Sequence, residues 1–209
     1  AQMLRSFFSL LVATLALAPA AQAPAGPFDN VAQLQVLPGW RVSETEHIAG
    51  LRITLAPGWK TYWRVPGEAG IPPNFNWTGS RNLQALAVHW PLPRVYDTGG
   101  MRTSGYSDEV IIPVRIRPRA DNTVGLSGQV EIGVCEEGCV PVSFSVDADL
   151  PASGSPDPRI ERVLNDKPTS ARRAGVRGVR CRIDPISDGL RLTASIEMPS
   201  MGRNEVAVV

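Results

Sequence analysis

Two strands joined by a tight loop are predicted for the stretch Val130-Glu131-Ile132-Gly133-Val134-Cys135-Glu136-Glu137-Gly138-Cys139-Val140-Pro141. Apolar residues dominate on both sides of the loop, and Gly138 supplies a turn residue between the two cysteines. The sulfurs of Cys135 and Cys139 are therefore expected at the ends of a hairpin-like turn, where Cα atoms can reach the roughly 4.4–6.8 Å that a disulfide requires. So small a ring gains less chain-entropy stabilisation than the roughly 3 kcal/mol of a fifteen-residue loop, which favours a redox role.

The chemistry of this pair depends on its neighbours. Glu136 and Glu137 adjoin the sulfurs, and like charge is expected to raise the pKa of each thiol. No Lys, Arg or His lies within the loop to activate a thiolate. Such cysteines should attack slowly by themselves, which suits a domain that exchanges electrons with dedicated partners.

Spacing alone leaves other interpretations of the pair open. The main alternative is an exported protein-binding β-sandwich with a structural disulfide. A zinc site is weak because four ligands are usual, and His47 and His89 lie at no metal-ligand spacing to the pair. Copper handling is a third possibility, since sulfur ligands suit Cu(I).

Similar strands recur on both sides of the cysteine loop. Alternating or apolar runs predict strands at 40–45, 50–55, 59–63, 75–77, 85–90, 110–117, 124–134 and 140–150. Pro57-Gly58 marks a turn, and the stretch from Pro66 to Pro73 is rich enough in Gly and Pro to predict an irregular loop. About eight short strands separated by turn signals, with no convincing helix, predict an all-β sandwich or barrel over 29–150.

The N-terminus predicts export. Arg5 precedes an apolar run at 7–18, and the small-residue triplet Ala21-Gln22-Ala23 follows it. This layout is that of a secretory signal peptide, here 1–23, whose apolar core is too short for a comfortable membrane span. An exported protein occupies a compartment where disulfides form and persist.

The sequence changes character after the sandwich region. Residues 151–177 are predicted to form a linker with one short helix, Asp157 to Lys167, with Asp157 as N-cap. Residues 178–209 alternate again around the turn Asp188-Gly189 and predict the start of a second β module. This module carries the third cysteine, Cys181. Two interpretations of it are open: a buried small hydrophobic residue, or the partner of a cysteine outside this sequence.

Composition excludes several function classes. The chain has 21 Lys and Arg against 20 Asp and Glu, without a basic block, so nucleic acid is not expected as a partner. No segment after the signal peptide is apolar for long enough to cross a membrane. Four tryptophans are predicted as core or loop-anchoring residues in preference to a ligand surface: Trp59, Trp63, Trp77 and Trp90.

Several motifs in a fixed order resemble one family. The first two motifs are Leu55-Ala56-Pro57-Gly58-Trp59-Lys60-Thr61-Tyr62-Trp63-Arg64 and Pro66-Gly67-Glu68-Ala69-Gly70-Ile71-Pro72-Pro73. The later motifs, in chain order, are Asn76-Trp77-Thr78-Gly79-Ser80, Trp90-Pro91, Gly105-Tyr106-Ser107-Asp108, Ile112-Pro113-Val114 and the cysteine hairpin. Together they resemble the N-terminal periplasmic domain of DsbD-type thiol:disulfide interchange proteins, closest to the ScsB-like branch, over about residues 40–150.

The resemblance implies an immunoglobulin-like β-sandwich in the periplasm, acting as a protein-disulfide reductase domain or subunit. Its redox-active disulfide, Cys135–Cys139, would need no other cofactor. The implied partners are a membrane electron-transfer domain or thioredoxin-like reductant on one side, and periplasmic thiol or disulfide proteins on the other. By motif position, Cys139 resembles the cysteine that forms the mixed disulfide, and Cys135 the resolving one.

Further site residues are implied by the same resemblance. Tyr62 and Asp97 fall where the family keeps a tyrosine and an acid beside the active site, and Tyr106 is a third expected neighbour. Two departures are visible: the cysteines are closer together than in the best-known members, and the expected loop 96–102 has no aromatic at the position of the family's cap. Tyr96, Met101 or Tyr106 would have to replace that cap, or the pair would be more open.

Overall fold

The structure is a computed structural model that describes residues 30–98 and 100–202. The predicted signal peptide, 1–23, lies outside the described residues. Within these described residues, no helix is long and apolar enough to cross a membrane.

Ten strands come first in the described part of the chain. They are β1 (Ala32–Ser43), β2 (Glu46–Leu55), β3 (Lys60–Gly67), β4 (Asn74–Asn76), β5 (Leu83–Val88), β6 (Arg94–Thr98), β7 (Met101–Ser107), β8 (Glu109–Pro118), β9 (Val124–Cys135) and β10 (Cys139–Leu150). One helix, α1 (Pro158–Asn165), and two further strands, β11 (Gly178–Ile186) and β12 (Gly189–Glu197), follow.

The first ten strands form two antiparallel sheets. One sheet has the order β1-β2-β8-β5, and the other has the order β10-β9-β3-β7-β6, with β4 paired to β9 beyond the end of the β3 pairing. The inner faces of the two sheets enclose one core, because alternate residues of each strand point inward. Its fully buried members include Leu51, Ile112, Val114, Leu126 and Val130. The all-β, immunoglobulin-like sandwich predicted from the sequence is therefore confirmed.

The clearest correction concerns the segment before β8. It was expected to be a loop over 96–102, but it forms the hairpin of β6 and β7. The strand β7 has few apolar residues and no clear alternation, so its sequence provides a weak signal. Pairing with β3 orders it, with Thr61 opposite Tyr106 and Tyr62 opposite Gly105. The predicted irregular loop is likewise shortened, because β3 continues to Gly67.

The helix covers the outer face of the first sheet. It begins at Pro158 with Asp157 as its N-cap, as predicted, and the Asp157 carboxylate accepts a hydrogen bond of 2.9 Å from the Arg159 backbone N–H. Ile160 is completely buried in a second apolar cluster with Leu37, Trp40, Ile48 and Ile111. The two strands β2 and β8 are therefore covered on both faces around Ile48 and Ile111, whereas Arg115 and Arg117 farther along β8 are exposed.

Candidate active site

The two cysteines lie at one end of the second sheet. Cys135 is the last residue of β9 and Cys139 is the first residue of β10, and the register places them directly opposite each other. Their Cα atoms are 4.2 Å apart and their sulfurs form a disulfide. The full antiparallel pairing of β9 with β10, down to Leu150 opposite Val124, holds this geometry in place.

The two sulfur positions differ in access. Cys135 is buried, with 3% of its surface exposed, whereas Cys139 is exposed. The difference arises because Cys135 lies between β10 and β3, while Cys139 lies on β10, which forms the edge of the sheet. Of the two cysteines, Cys139 is therefore the one more open to the surroundings of the protein.

A tyrosine hydroxyl contacts both sulfurs. The Tyr62 Oη–H donates to Cys135 Sγ at 2.8 Å, and the same oxygen lies 3.3 Å from Cys139 Sγ. The strand β3 carries this residue to the site, because Lys60 pairs with Cys135 and Thr61 with Val134. The Thr61 hydroxyl donates to the Gly133 carbonyl oxygen at 2.9 Å and fastens β3 to β9 at this point.

The Tyr62 hydroxyl is protonated at neutral pH, and burial reinforces this. Burial raises the pKa of Tyr62 above its ordinary value, since the phenolate would lose hydration. At neutral pH the group is therefore a hydrogen-bond donor, and a donor stabilises a neighbouring thiolate more than a neutral sulfur.

The comparisons with known proteins agree with this geometry. The family described as "Thiol:disulfide interchange protein DsbD, N-terminal" matches residues 28–150. The chain belongs to this family. Family membership and the Cys135–Cys139 disulfide together indicate thiol–disulfide exchange as the chemistry of the site.

Solved structures of two similar domains exist. The N-terminal periplasmic domain of ScsB from Proteus mirabilis is 24% identical, with 84% of this chain and 83% of that chain covered and a TM-score of 0.58, so the two share a fold. The reduced N-terminal domain of DsbD from Neisseria meningitidis is 15% identical, with coverage of 63% and 94% and a TM-score of 0.35. No curated protein sequence matches the chain.

The other two expected neighbours of this DsbD-type site lie elsewhere. Tyr106 is buried on the core face of β7, and its hydroxyl donates to the Pro91 carbonyl oxygen at 3.0 Å. Burial, assisted by the Asp166 carboxylate, raises the pKa of Tyr106 strongly. Asp97 is exposed near the tip of the β6–β7 hairpin, where its Oδ1 accepts a hydrogen bond of 3.2 Å from the Gly100 backbone N–H. Of the three predicted neighbours, the structure brings Tyr62 into hydrogen-bond contact with the sulfurs.

A lysine that no sequence motif assigned to the site adjoins it. Lys60 is the cross-strand partner of Cys135, so its side chain leaves the sheet on the same face as the sulfurs. Its ammonium group lies 5.1 Å from the centre of the Tyr96 ring, within the range of a cation–π contact. The cysteine loop itself contains no cation, but the neighbouring strand provides one, and only strand pairing could reveal it.

The histidines are not gathered around the cysteines. His47 is fully buried between β1 and β8, and its Nε2 lies 2.6 Å from the Pro38 carbonyl oxygen. His89 follows β5 and is half-buried. Within residues 30–98 and 100–202, no group of three or more His, Cys, Asp or Glu side chains could hold a metal ion. The predicted core role fits Trp63, which is buried, and Trp59, Trp77 and Trp90, which pack partly buried against the same core.

Proposed function

We propose that this chain performs thiol–disulfide exchange in the periplasm, passing electrons between a membrane-bound or thioredoxin-like reductant and periplasmic thiol proteins through Cys135 and Cys139. The observation that carries the proposal is the asymmetry of the pair: Cys139 is exposed, while Cys135 is buried beneath the Tyr62 hydroxyl. One sulfur can meet a partner while the other remains available to resolve the product.

The exchange begins at the accessible sulfur. A thiolate of a reducing dithiol protein attacks Cys139 Sγ, the Cys135–Cys139 bond breaks, and its electron pair stays on Cys135 Sγ. The second thiol of the reductant loses its proton and attacks the reductant's first sulfur in the mixed disulfide. The bond from that sulfur to Cys139 Sγ breaks, and its electron pair stays on Cys139 Sγ. The reductant leaves as a disulfide, and both cysteines of this domain are reduced. In the second half-reaction, the Cys139 thiolate attacks one sulfur of a substrate disulfide, the substrate S–S bond breaks, and its electron pair stays on the other substrate sulfur. The Cys135 thiolate then attacks Cys139 Sγ, which forms the Cys135–Cys139 disulfide again and releases the first substrate sulfur as a thiolate.

Tyr62 assists the step in which Cys135 leaves. A leaving thiolate departs faster when its charge is stabilised, and the Tyr62 hydroxyl is already 2.8 Å from Cys135 Sγ before the bond breaks. The two residues Glu136 and Glu137 are exposed in the loop between the cysteines and give that loop a negative charge. A partner with a basic or neutral rim around its own active site would therefore dock best.

The organisation of the chain supports a secreted location. We infer a signal peptide at 1–23, a redox domain at 29–150, a linker at 151–177 and the start of a second β module at 178–209. The periplasm is the compartment in which a small exposed disulfide can cycle between dedicated reductants and oxidised substrates.

The rival function is protein binding by a sandwich with a structural disulfide, and the reduction potential separates the two. The mature protein, with Cys181→Ser to remove the third thiol, is equilibrated against glutathione buffers and read by mass after alkylation. A value between about −120 and −270 mV is expected for exchange. A value below about −300 mV, or a pair that stays oxidised until the protein unfolds, would establish the binding module instead.

Partner capture completes the test. Cys135→Ala leaves the exposed Cys139 without its resolving cysteine, so mixed disulfides with thiol proteins should accumulate. Cys139→Ala, with the buried Cys135 as its remaining site cysteine, is the matched control and should accumulate far fewer. Equal trapping by the two variants would contradict the assigned roles.

A further inference from the structure

The segment that follows β3 crosses the outer face of the sheet beside the disulfide. We call residues Glu68–Pro73 the strap. At its start, the Glu68 backbone N–H donates to the Arg102 carbonyl oxygen on β7 at 3.1 Å, and the Arg102 backbone N–H donates to Glu68 Oε2 at 3.0 Å. At its end the chain joins β9, because Asn74 pairs with Glu131. Since β3 lies between β7 and β9 in the sheet, the strap passes over β3.

The strap lies directly on the tyrosine that contacts the sulfurs. A Cβ atom added at Gly70 would stand 2.7 Å from Tyr62 Cδ1 and 2.4 Å from Pro66 Cβ. Real Cβ atoms do not approach other heavy atoms so closely, so only glycine fits between the Tyr62 ring and Pro66. The backbone of Gly70 therefore forms one wall of the slot that holds the ring.

A second close approach holds the strap down. A Cβ atom added at Gly133 would stand 2.5 Å from Ile71 Cβ, so Ile71 rests on the bare backbone of β9 two residues before Cys135. The turn into the strap also needs glycine, because Gly67 has a φ of +90°. The strap is therefore pinned at Arg102, Tyr62 and Gly133, on both sides of the tyrosine ring.

We propose that the strap positions the Tyr62 hydroxyl against the two sulfurs, with Gly70 as a positioning residue, and thereby sets how easily the disulfide is reduced. The physical reason is that a tyrosine side chain can rotate about two bonds, and a donor stabilises a thiolate only when it is held at hydrogen-bond distance. The inference rests on the proposed exchange function, because it concerns the reactivity of the same two sulfurs.

The test compares the equilibrium with glutathione for four proteins in the Cys181→Ser background: wild type, Gly70→Ala, Tyr62→Phe and the double variant. Tyr62→Phe removes the hydroxyl from both forms. Because a thiolate gains more from this donor than a disulfide sulfur does, the equilibrium should shift toward the disulfide by about tenfold. A tenfold shift corresponds to a potential about 30 mV more negative. Gly70→Ala should shift the equilibrium in the same direction, since the ring is displaced.

The double variant shows whether Gly70→Ala changes the equilibrium with glutathione through the Tyr62 hydroxyl. If Gly70 acts through the Tyr62 hydroxyl, Gly70→Ala should change the equilibrium by less than about twofold in a chain that already carries Tyr62→Phe. Additive effects of the two substitutions would overturn the proposal. A Gly70→Ala protein that folds and keeps the wild-type equilibrium, beside a Tyr62→Phe protein that does not, would overturn it too.

Two further variants control for a general effect of Gly→Ala substitution and for a failure of Gly70→Ala to fold. Gly178→Ala on β11 is the matched control, because its added Cβ would meet its nearest neighbour, Glu197 Oε2, at 3.9 Å. It should leave the equilibrium unchanged. If Gly70→Ala fails to fold, Glu68→Ala removes an exposed anchor of the strap and should give a shift of about twofold in the same direction, absent when Tyr62 is replaced. No shift from this variant would then overturn the proposal.

The two hypotheses can fail separately. The absolute potential of the wild-type protein tests the proposed exchange function. The coupling between Gly70 and Tyr62 tests the strap, and it is measured as a ratio between variants whatever the absolute value is.

Discussion

The sandwich and the β11–β12 hairpin are built from the same kind of alternating strand, but the apolar faces are buried in the sandwich and exposed in the hairpin. In the sandwich, Leu51 and Ile112 are enclosed between two sheets and have at most 1% of their surface exposed. In the hairpin, the register places Ile183 opposite Leu192 on one face, and both remain mostly exposed. Alternation predicts which face of a strand is apolar, but a second layer decides whether that face becomes a core.

The apolar residues between the sandwich and the hairpin are also not closely packed. A cleft of about 1420 Å³ separates them, with Trp63 and Trp90 on the sandwich side and Val179 and Ile196 on the hairpin side. A close-packed protein interior has few voids larger than a water molecule. The sandwich and the hairpin therefore do not share one continuous core. The disulfide therefore lies on strands that are backed by a packed core, whereas Cys181 is exposed on the hairpin.

The largest difference between the regions should appear at the cysteines. Cys139→Ser is expected to reduce exchange with a reducing dithiol protein to the background rate, because no intramolecular disulfide can form at the site. Cys181→Ser should retain the wild-type rate, since Cys181 is an exposed free thiol far along the chain. Both rates are read by mass after alkylation, and a comparable loss in Cys181→Ser would break the comparison.

The next difference should appear in stability. Leu51→Ala in the sandwich is expected to lower the free energy of unfolding by about 2–5 kcal/mol, because it leaves a cavity in a close-packed core. Leu192→Ala in the hairpin, where 59% of the residue is exposed, should change the unfolding of the sandwich by less than about 0.5 kcal/mol.

Urea titration followed by tryptophan fluorescence suits this comparison. All five tryptophans, Trp40, Trp59, Trp63, Trp77 and Trp90, lie in the sandwich region, so the fluorescence transition mainly follows the unfolding of that region. Far-UV circular dichroism on the same samples registers the hairpin as well. A large effect of Leu192→Ala on the fluorescence transition would show that the two regions unfold as one unit.

The smallest difference concerns acid sensitivity, which should come from the sandwich. Burial, with a further contribution from the Arg41 charge, lowers the pKa of His47 below its ordinary value, although the Pro38 carbonyl opposes the shift. Below about pH 6.5 the unfolded chain therefore binds a proton that the folded chain does not. Stability should fall as the pH falls, by at most about 1.4 kcal/mol per pH unit from this residue.

His47→Gln provides the measurement. The free energy of unfolding is compared between pH 7 and pH 5 for the two proteins, and the decrease should be smaller in the variant because glutamine does not titrate. Equal decreases in the free energy of unfolding would assign the acid sensitivity to other groups. One such group is His89, because burial lowers its pKa as well.

Much of the fold was accessible from the sequence because its signals are local. The run from Val124 to Leu150 contains a turn residue between two apolar strands, and this pairing is present in the structure from Cys135 opposite Cys139 to its far end. The N-cap Asp157 followed by Pro158 predicted the start of α1 for the same reason. Strand β7 escaped prediction because its order comes from pairing with β3, which no local pattern encodes.

The candidate site divides in the same way. The cysteine pair follows from four residues of spacing, and Tyr62 came from a family motif, but the 2.8 Å contact between them depends on the register of β3 against β9. Lys60 beside Cys135 and Gly70 against the Tyr62 ring depend on the same pairing and on the path of the strap.

By itself, the sequence determined the type of each major strand, the presence of a small disulfide ring and the family, since these depend on side-chain alternation, turn residues and short motifs. Only the tertiary structure decided which sulfur is accessible, which tyrosine contacts it and which apolar face is enclosed. The physical reason is that exposure and hydrogen bonding are set by residues far apart in the chain, 77 positions for Tyr62 and Cys139. Such residues come together only when the strands pair.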